Sequence, residues 1–229
     1  MNINLTNIST VKLGTIKIDT SNNKVSMGSL VGNVGQSNFA INIGANSGAL
    51  NQGIYSLGIG VNCANSGQGT YAVGLGVNSA YSNQGNSATA LGGGSGNETQ
   101  GLYATACGNG SGAIRQGNYA TSLGGNSGYT DMGVNSVAIG INSGYSNLGN
   151  YSVVIGSYAG QTNMPAYSIC LNASGSVFNP ATAGLFIKPI TGITGAGITP
   201  ASSTSGGAIA GFGLLLYNPT TGEVRYVIS

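Results

Sequence analysis

One glycine recurs every sixteen residues through most of this chain, at Gly44, Gly60, Gly76, Gly92, Gly108, Gly124, Gly140 and Gly156. A second ladder runs nine residues behind it, at Gly53, Gly69, Gly85, Gly101, Gly117, Gly133 and Gly149, with Pro165 in the next place. Gly28 extends the first ladder backward, and Asn172 stands where its next member would fall. A fixed period of this size describes a stack of small units that bury their faces against neighbours, not a domain with one central core.

The residues before each anchor glycine share a pattern. Five before, the site is usually aromatic, as at Phe39, Tyr55, Tyr71, Tyr103, Tyr119, Tyr151 and Tyr167. Four before, it is Ala or Ser; three before, β-branched or Leu; one before, mostly Ile or Leu. Alternation with period two, rich in strand formers and ended by glycine, predicts one short strand per unit. The remainder of each unit, such as Asn142-Ser143-Gly144-Tyr145-Ser146-Asn147-Leu148-Gly149, is turn chemistry with room for a second brief strand.

Sixteen residues are too few for a hairpin module with its own core. They suit one coil of a parallel β-solenoid, each strand pairing with its equivalent one turn away. In such a stack identical side chains form ladders, where like charges repel. The composition agrees: only 4% of the 229 residues are charged, and between Lys24 and Lys188 only Glu98, Arg115 and Asp131 occur. The expected class is therefore all-β, with nine coils over residues 24–172, an N-terminal cap or docking strands over 1–23, and a small β knob or trimer clasp over 173–229.

A two-strand coil of this length encloses a thin lumen that the small residues of the alternation would fill. The bulky set would then point outward as an apolar stripe: Ile41, Ile43, Leu57, Ile59, Val73, Leu75, Leu91, Leu123, Val137, Ile139, Val153 and Ile155. A stripe this long exceeds what a monomer leaves in water, so the expectation is burial against sister chains, most simply around a threefold axis. The alternative turns the bulky residues into the lumen and leaves a monomeric solenoid.

Many function classes find no material here. The chain has no His, and its four carboxylates (Asp19, Glu98, Asp131 and Glu223) are scattered. Triads, acid–base pairs and metal sites draw on groups that cannot be assembled from such neighbours, so no catalysis, cofactor or metal is expected. Six basic residues spread over the chain make no phosphate-tracking stripe, which disfavours nucleic acid. No apolar run reaches membrane-spanning length, and Met1-Asn2-Ile3-Asn4 does not open a signal peptide. Cys63, Cys107 and Cys170 fall in different phases of the repeat and read as buried small hydrophobes. Leu91-Gly92-Gly93-Gly94-Ser95-Gly96 lacks the lysine of a phosphate loop.

The units Ser136-Val137-Ala138-Ile139-Gly140 and Ser152-Val153-Val154-Ile155-Gly156 resemble the head repeats of trimeric autotransporter adhesins, and similar repeats occur in fibre-like proteins of large DNA viruses and phages. The resemblance covers residues 24–172 and implies a left-handed parallel β-roll, homotrimeric, with the motif strand near the trimer axis. The viral form is the better match. Loops such as Gly160-Gln161-Thr162-Asn163 are similar to its linkers, as are the endings Gly184-Leu185-Phe186-Ile187-Lys188-Pro189-Ile190 and Leu216-Tyr217-Asn218-Pro219-Thr220-Thr221-Gly222-Glu223-Val224. In such fibres a segment like the last one often precedes a self-cleaving chaperone released after a serine, which makes Ser229 either a cleavage product, a boundary or an ordinary terminus.

The resemblance implies a viral fibre or spike on the virion surface, contacting other virion proteins at one end and a host carbohydrate or receptor elsewhere, without membrane insertion. The alternatives are a bacterial adhesin head on a cell surface and a solenoid polysaccharide depolymerase. The latter needs two carboxyls within about 5–10 Å, whereas Glu98 and Asp131 stand two coils out of step, about 10 Å along the axis alone. The speculative glycan platform is the aromatic ladder Tyr55, Tyr71, Tyr103, Tyr119 and Tyr151, whose rings could stack on sugars; the competing reading is simple packing along the solenoid flank.

Overall fold

A computed structural model of the chain describes residues 10–13, 16–32, 34–189, 214–218 and 220–227. These residues form strands and turns only, wound as a parallel β-solenoid with coils of sixteen residues. Each coil contributes a motif strand to a long sheet, and the eight coils from Lys24 to Ser152 each add a second, three-residue strand to a short sheet. Register is sixteen throughout: Ile41 pairs with Leu57, Leu57 with Val73, Thr89 with Thr105, and Val137 with Val153. In the short sheet Gln52 pairs with Gln68 and Ser82 with Glu98 in the same way.

The glycine and asparagine content follows from how tightly the coil turns. Five of the sixteen residues have positive φ in every full coil; in the coil from Ile41 they are Gly44, Asn46, Gly48, Asn51 and Tyr55. Glycine reaches that half of backbone space freely and Asn several-fold more often than other residues. The first ladder has a second reason to be glycine, because a Cβ on Gly60 (φ 137°) would fall within van der Waals overlap of the Gly76 carbonyl. In the second ladder φ is not the constraint. A Cβ on Gly85 would lie 2.6 Å from backbone atoms of Gly101, so successive coils touch there main chain to main chain.

Leu30 is a local misfit. It adopts φ 55° with two thirds of its surface in water, at the phase where later coils place Asn46, Asn62 and Asn78. The Asn residues there link side chain to side chain, Asn46 to Asn62 at 3.0 Å and Asn62 to Asn78 at 3.1 Å. Leu30→Asn relieves the left-handed strain of a bulky residue and should stabilise the chain by about 1 kcal/mol, read as a higher midpoint in urea unfolding.

The lumen takes the small residues of the alternation. Ala40, Ala72, Ala88, Ala104 and Ala120 are fully buried, as are Ala90, Ala106 and Ala138 in the middle of their motif strands. Facing them is a ladder of buried glutamines, Gln52, Gln68, Gln84, Gln100 and Gln116. From Gln68 on, each is held by carbonyls of the facing strand and corner, Gln68 Nε2 donating to Leu57 O at 2.8 Å and Ala72 O at 3.2 Å, whereas Gln52 Nε2 donates to Leu50 O and Ala64 O. Gln84 donates to Gln100, and Gln100 to Gln116, at 3.1 Å each. The Nε2 donors of the ladder are thus paired, but only Gln100 and Gln116 also accept through Oε1; Gln52, Gln68 and Gln84 leave that oxygen buried without a partner, which costs stability. Farther along, the same phase becomes Met132, Leu148 and Met164, which join Val154, Phe178 and Phe186 in an apolar cluster. The core thus turns from hydrogen-bonded to greasy along the rod.

Both ends extend the long sheet. Thr10–Leu13 and Ile16–Asp19 form an antiparallel hairpin that pairs with Lys24–Met27 and covers the open edge of the first coil. Its following turn is pinned by Asp19, whose carboxylate accepts from Ser21 and Asn22 and is thereby held at about 2. At the other end the step of sixteen persists beyond Asn172: Ile169 pairs with Leu185 and Cys170 with Phe186. The predicted hairpin of Leu214–Tyr217 with Glu223–Val227 is present, and its second strand pairs antiparallel with Leu185 and Phe186. Among the described residues this region therefore continues the long sheet.

Candidate functional site

Since the middle residue of each motif strand points inward, its two neighbours point out. Ile41, Leu75, Leu91, Leu123 and Ile155 are exposed, and Ile43, Leu57, Ile59, Val73, Val137, Ile139 and Val153 are half-buried among their ladder neighbours. All twelve predicted stripe residues thus share the outer surface of one sheet. The corner leaving this sheet adds exposed Val61, Val77 and Ile141. The outer surface of the short sheet has the opposite character, with Ser66, Ser82, Glu98, Thr130 and Ser146 beside Asn51, Asn83, Thr99, Arg115, Asp131 and Asn147. Val34, Leu50 and Ile114 are its apolar exceptions.

All of the charge between Lys24 and Lys188 sits on that polar surface. Arg115 grips Asp131 one coil away through two nitrogens, the second contact at 2.6 Å. The guanidinium lowers the Asp131 pKa, and the carboxylate in turn raises that of Arg115. Both side chains are well exposed, so the pair contributes little stability. Glu98 instead lines a groove of about 590 Å³ together with Asn97, Asn109, Gly110 and Tyr129. The two carboxylates lie on different coils, and Asp131 is already engaged. Among the described residues no three of His, Cys, Asp and Glu gather as a metal site would require. Cys63 and Cys170 are buried, which pushes each thiol up to about 11 and leaves it protonated at neutral pH; Cys107 is half-buried.

The predicted aromatic ladder occupies the corner just before the motif strand. Tyr55, Tyr71, Tyr103, Tyr119 and Tyr151 all have φ between 55° and 60°, and all are exposed. Their rings stack on one another: Phe39 on Tyr55 at 4.8 Å, Tyr55 on Tyr71 at 5.2 Å, Tyr103 on Tyr119 and Tyr151 on Tyr167 at 5.3 Å. Stacked rings cover each other's faces, so the row presents mainly edges to solvent. A separate stack, Tyr129 on Tyr145, lies elsewhere on the coil. The Tyr row is interrupted at Ser87 and Asn135, which keep the same left-handed backbone, φ 57° and 55°.

Sequence reasoning missed the glutamine ladder, because a Gln in a turn-rich segment reads as surface. Its signal was available, since Gln36 to Gln116 recur at intervals of sixteen and, from Gln52 on, each stands immediately before a member of the second glycine ladder. No protein-family model, no curated protein and no solved structure matches this chain.

Proposed function

We propose that the chain is a structural fibre or spike protein, a homotrimer of left-handed coils that presents an attachment surface for host carbohydrate on a virion. The observation that carries this reading is the split of the rod into two unlike surfaces. Outward-facing Ile, Leu and Val run along one sheet through the coils, giving way to Thr105 and Cys107 at one rung, while the three charges between Lys24 and Lys188 (Glu98, Arg115 and Asp131) sit on the other sheet. An apolar strip of that length is unfavourable in water and favours burial against copies of itself. A rod's identical rungs suit a closed symmetric arrangement in which every copy offers the same strip.

The chemistry of the exposed side chains supports a binding role over a catalytic one. Amides, hydroxyls and tyrosines dominate the surface, and they recognise hydroxyl-rich ligands without needing a titrating group. Three parallel copies would multiply weak single contacts into avidity.

Native mass spectrometry of the full chain tests the assembly. The expected species is three times the 22.5 kDa chain mass. A monomer at micromolar concentration would overturn the quaternary half of the proposal. Retention of the intact assembly on host cells, lost after enzymatic removal of surface glycans and without release of cleaved sugar, is the result expected for attachment.

A further inference from the structure

The two interruptions of the aromatic row are themselves sites. We infer that the gaps at Ser87 and Asn135 are clamps for an uncharged sugar ring, each formed by two tyrosines facing one another across a rung that carries no aromatic ring. This rests on the attachment reading and locates where such a ligand would sit.

At Ser87 the flanking rings are Tyr71 and Tyr103; at Asn135 they are Tyr119 and Tyr151. Each of these four belongs to a stacked pair or triplet on one side only, so its other ring face looks across the gap. Their exposure agrees: Tyr71 is 60% exposed, whereas Tyr55, covered on both faces, is 49% exposed. Coil geometry sets the width. Two rungs of ~4.8 Å place the facing rings about 10 Å apart, which leaves an inserted ring about 5 Å from each face. That is the separation at which the tyrosines already stack, 5.2 Å for Tyr55 and Tyr71. A pyranose inserted there buries both of its C–H faces against aromatic surface while its hydroxyls stay at the rim.

The rim chooses among ring-shaped ligands. Thr70 N donates to Asn86 Oδ1 at 3.0 Å, which orients the Asn86 side chain beside the first clamp with its Nδ2 available to a hydroxyl. Asn118 and Asn150 are oriented likewise beside the second, by the amides of Leu102 and Val134. From Asn38-Phe39 to Ala166-Tyr167, no residue at this corner is charged. The site therefore offers aromatic faces and neutral hydrogen-bond donors, and nothing that would pair with a carboxylate or phosphate. Each clamp is shallow, but two on one rod and six on a trimer can act together.

The repeat supplies its own test, because Tyr is already accommodated at this backbone position in most coils. The variant Ser87→Tyr/Asn135→Tyr completes the row and fills both clamps without disturbing the coil. The full-length wild type and this variant are applied to an array of uncharged and sialylated oligosaccharides, and titrated in solution by tyrosine fluorescence, which no Trp obscures. Adenosine serves as the flat aromatic control. The expected result is wild-type binding to uncharged oligosaccharides, weakened at least tenfold in the double variant and by a smaller factor in Ser87→Tyr alone. Tyr103→Ala should weaken it as well. Unchanged binding by the double variant would overturn the clamps while leaving the attachment reading standing; no binding to any saccharide by the wild type would overturn both. Adenosine binding in preference to sugars would overturn the ligand class.

Discussion

Gly60→Ala should destabilise the rod by about 4 kcal/mol, although it adds a single methyl group. Gly60 has φ 137°, a conformation that L residues rarely adopt, and holding Ala there costs roughly 1–3 kcal/mol. The new Cβ would also collide with the Gly76 carbonyl carbon at 2.6 Å and with its oxygen. Main chain of the next coil cannot swing aside as a side chain can, and such overpacking costs a further 1–3 kcal/mol or so. Gly67→Asn is the matched control. Its φ of 72° is shared in kind by Asn51 and Asn83 at the same phase, and the nearest atom to an added Cβ is the end of the Asn83 side chain. That variant should stay within about 0.5 kcal/mol of wild type. Urea unfolding compares the two, and amide exchange should place the Gly60→Ala damage in the adjoining coils, since a solenoid unit touches only its neighbours. Equal stability of both variants would refute the close approach of the coils.

Leu91→Glu combined with Leu123→Glu should leave the single chain folded and abolish assembly. Both residues are over 40% exposed in the chain by itself, so each substitution should alter monomer stability by less than about 1 kcal/mol. Around a threefold axis the same positions would bring carboxylates from three copies together out of water, and burying unpaired like charges costs several kcal/mol. Association should weaken by at least a thousandfold, about 4 kcal/mol, seen as a shift from trimer to monomer in sedimentation with an unchanged circular dichroism spectrum. A trimer that persists in this variant would place the apolar strip outside the contact.

The period and the motif strand were legible because two residue types announced them. Glycine marks where backbone crowds backbone, and the alternation of small with bulky residues marks which side chains enter the lumen. The inward Ala72, Ala88 and Ala104 and the outward Leu75 and Leu91 could be placed before any coordinates. The remaining left-handed positions were harder. Tyr55 and Arg115 occupy them although a Cβ disfavours left-handed backbone, so residue type gives no signal there, and their ladders are identifiable only once the coil's turns are known. The rung at Leu185–Lys188 was hidden for a different reason: the glycine at its expected place is absent, and only strand register reveals it. The aromatic row was visible as a row, but that its members cover one another, leaving free faces at Ser87 and Asn135, is a matter of ring orientation that no spacing encodes.

The hydrogen bonds joining one coil to the next, such as Leu57 N to Ala72 O at 3.0 Å and Gly60 N to Ile43 O at 2.8 Å, run along the rod, while the covalent chain winds across it. Tension applied between the two tips is then borne by those rungs in series. Each coil that gives way converts a rise of ~4.8 Å into roughly 50 Å of slack. A tether built this way would lengthen in discrete increments under load and absorb work at each one, a useful property for anything held against flow or jostling.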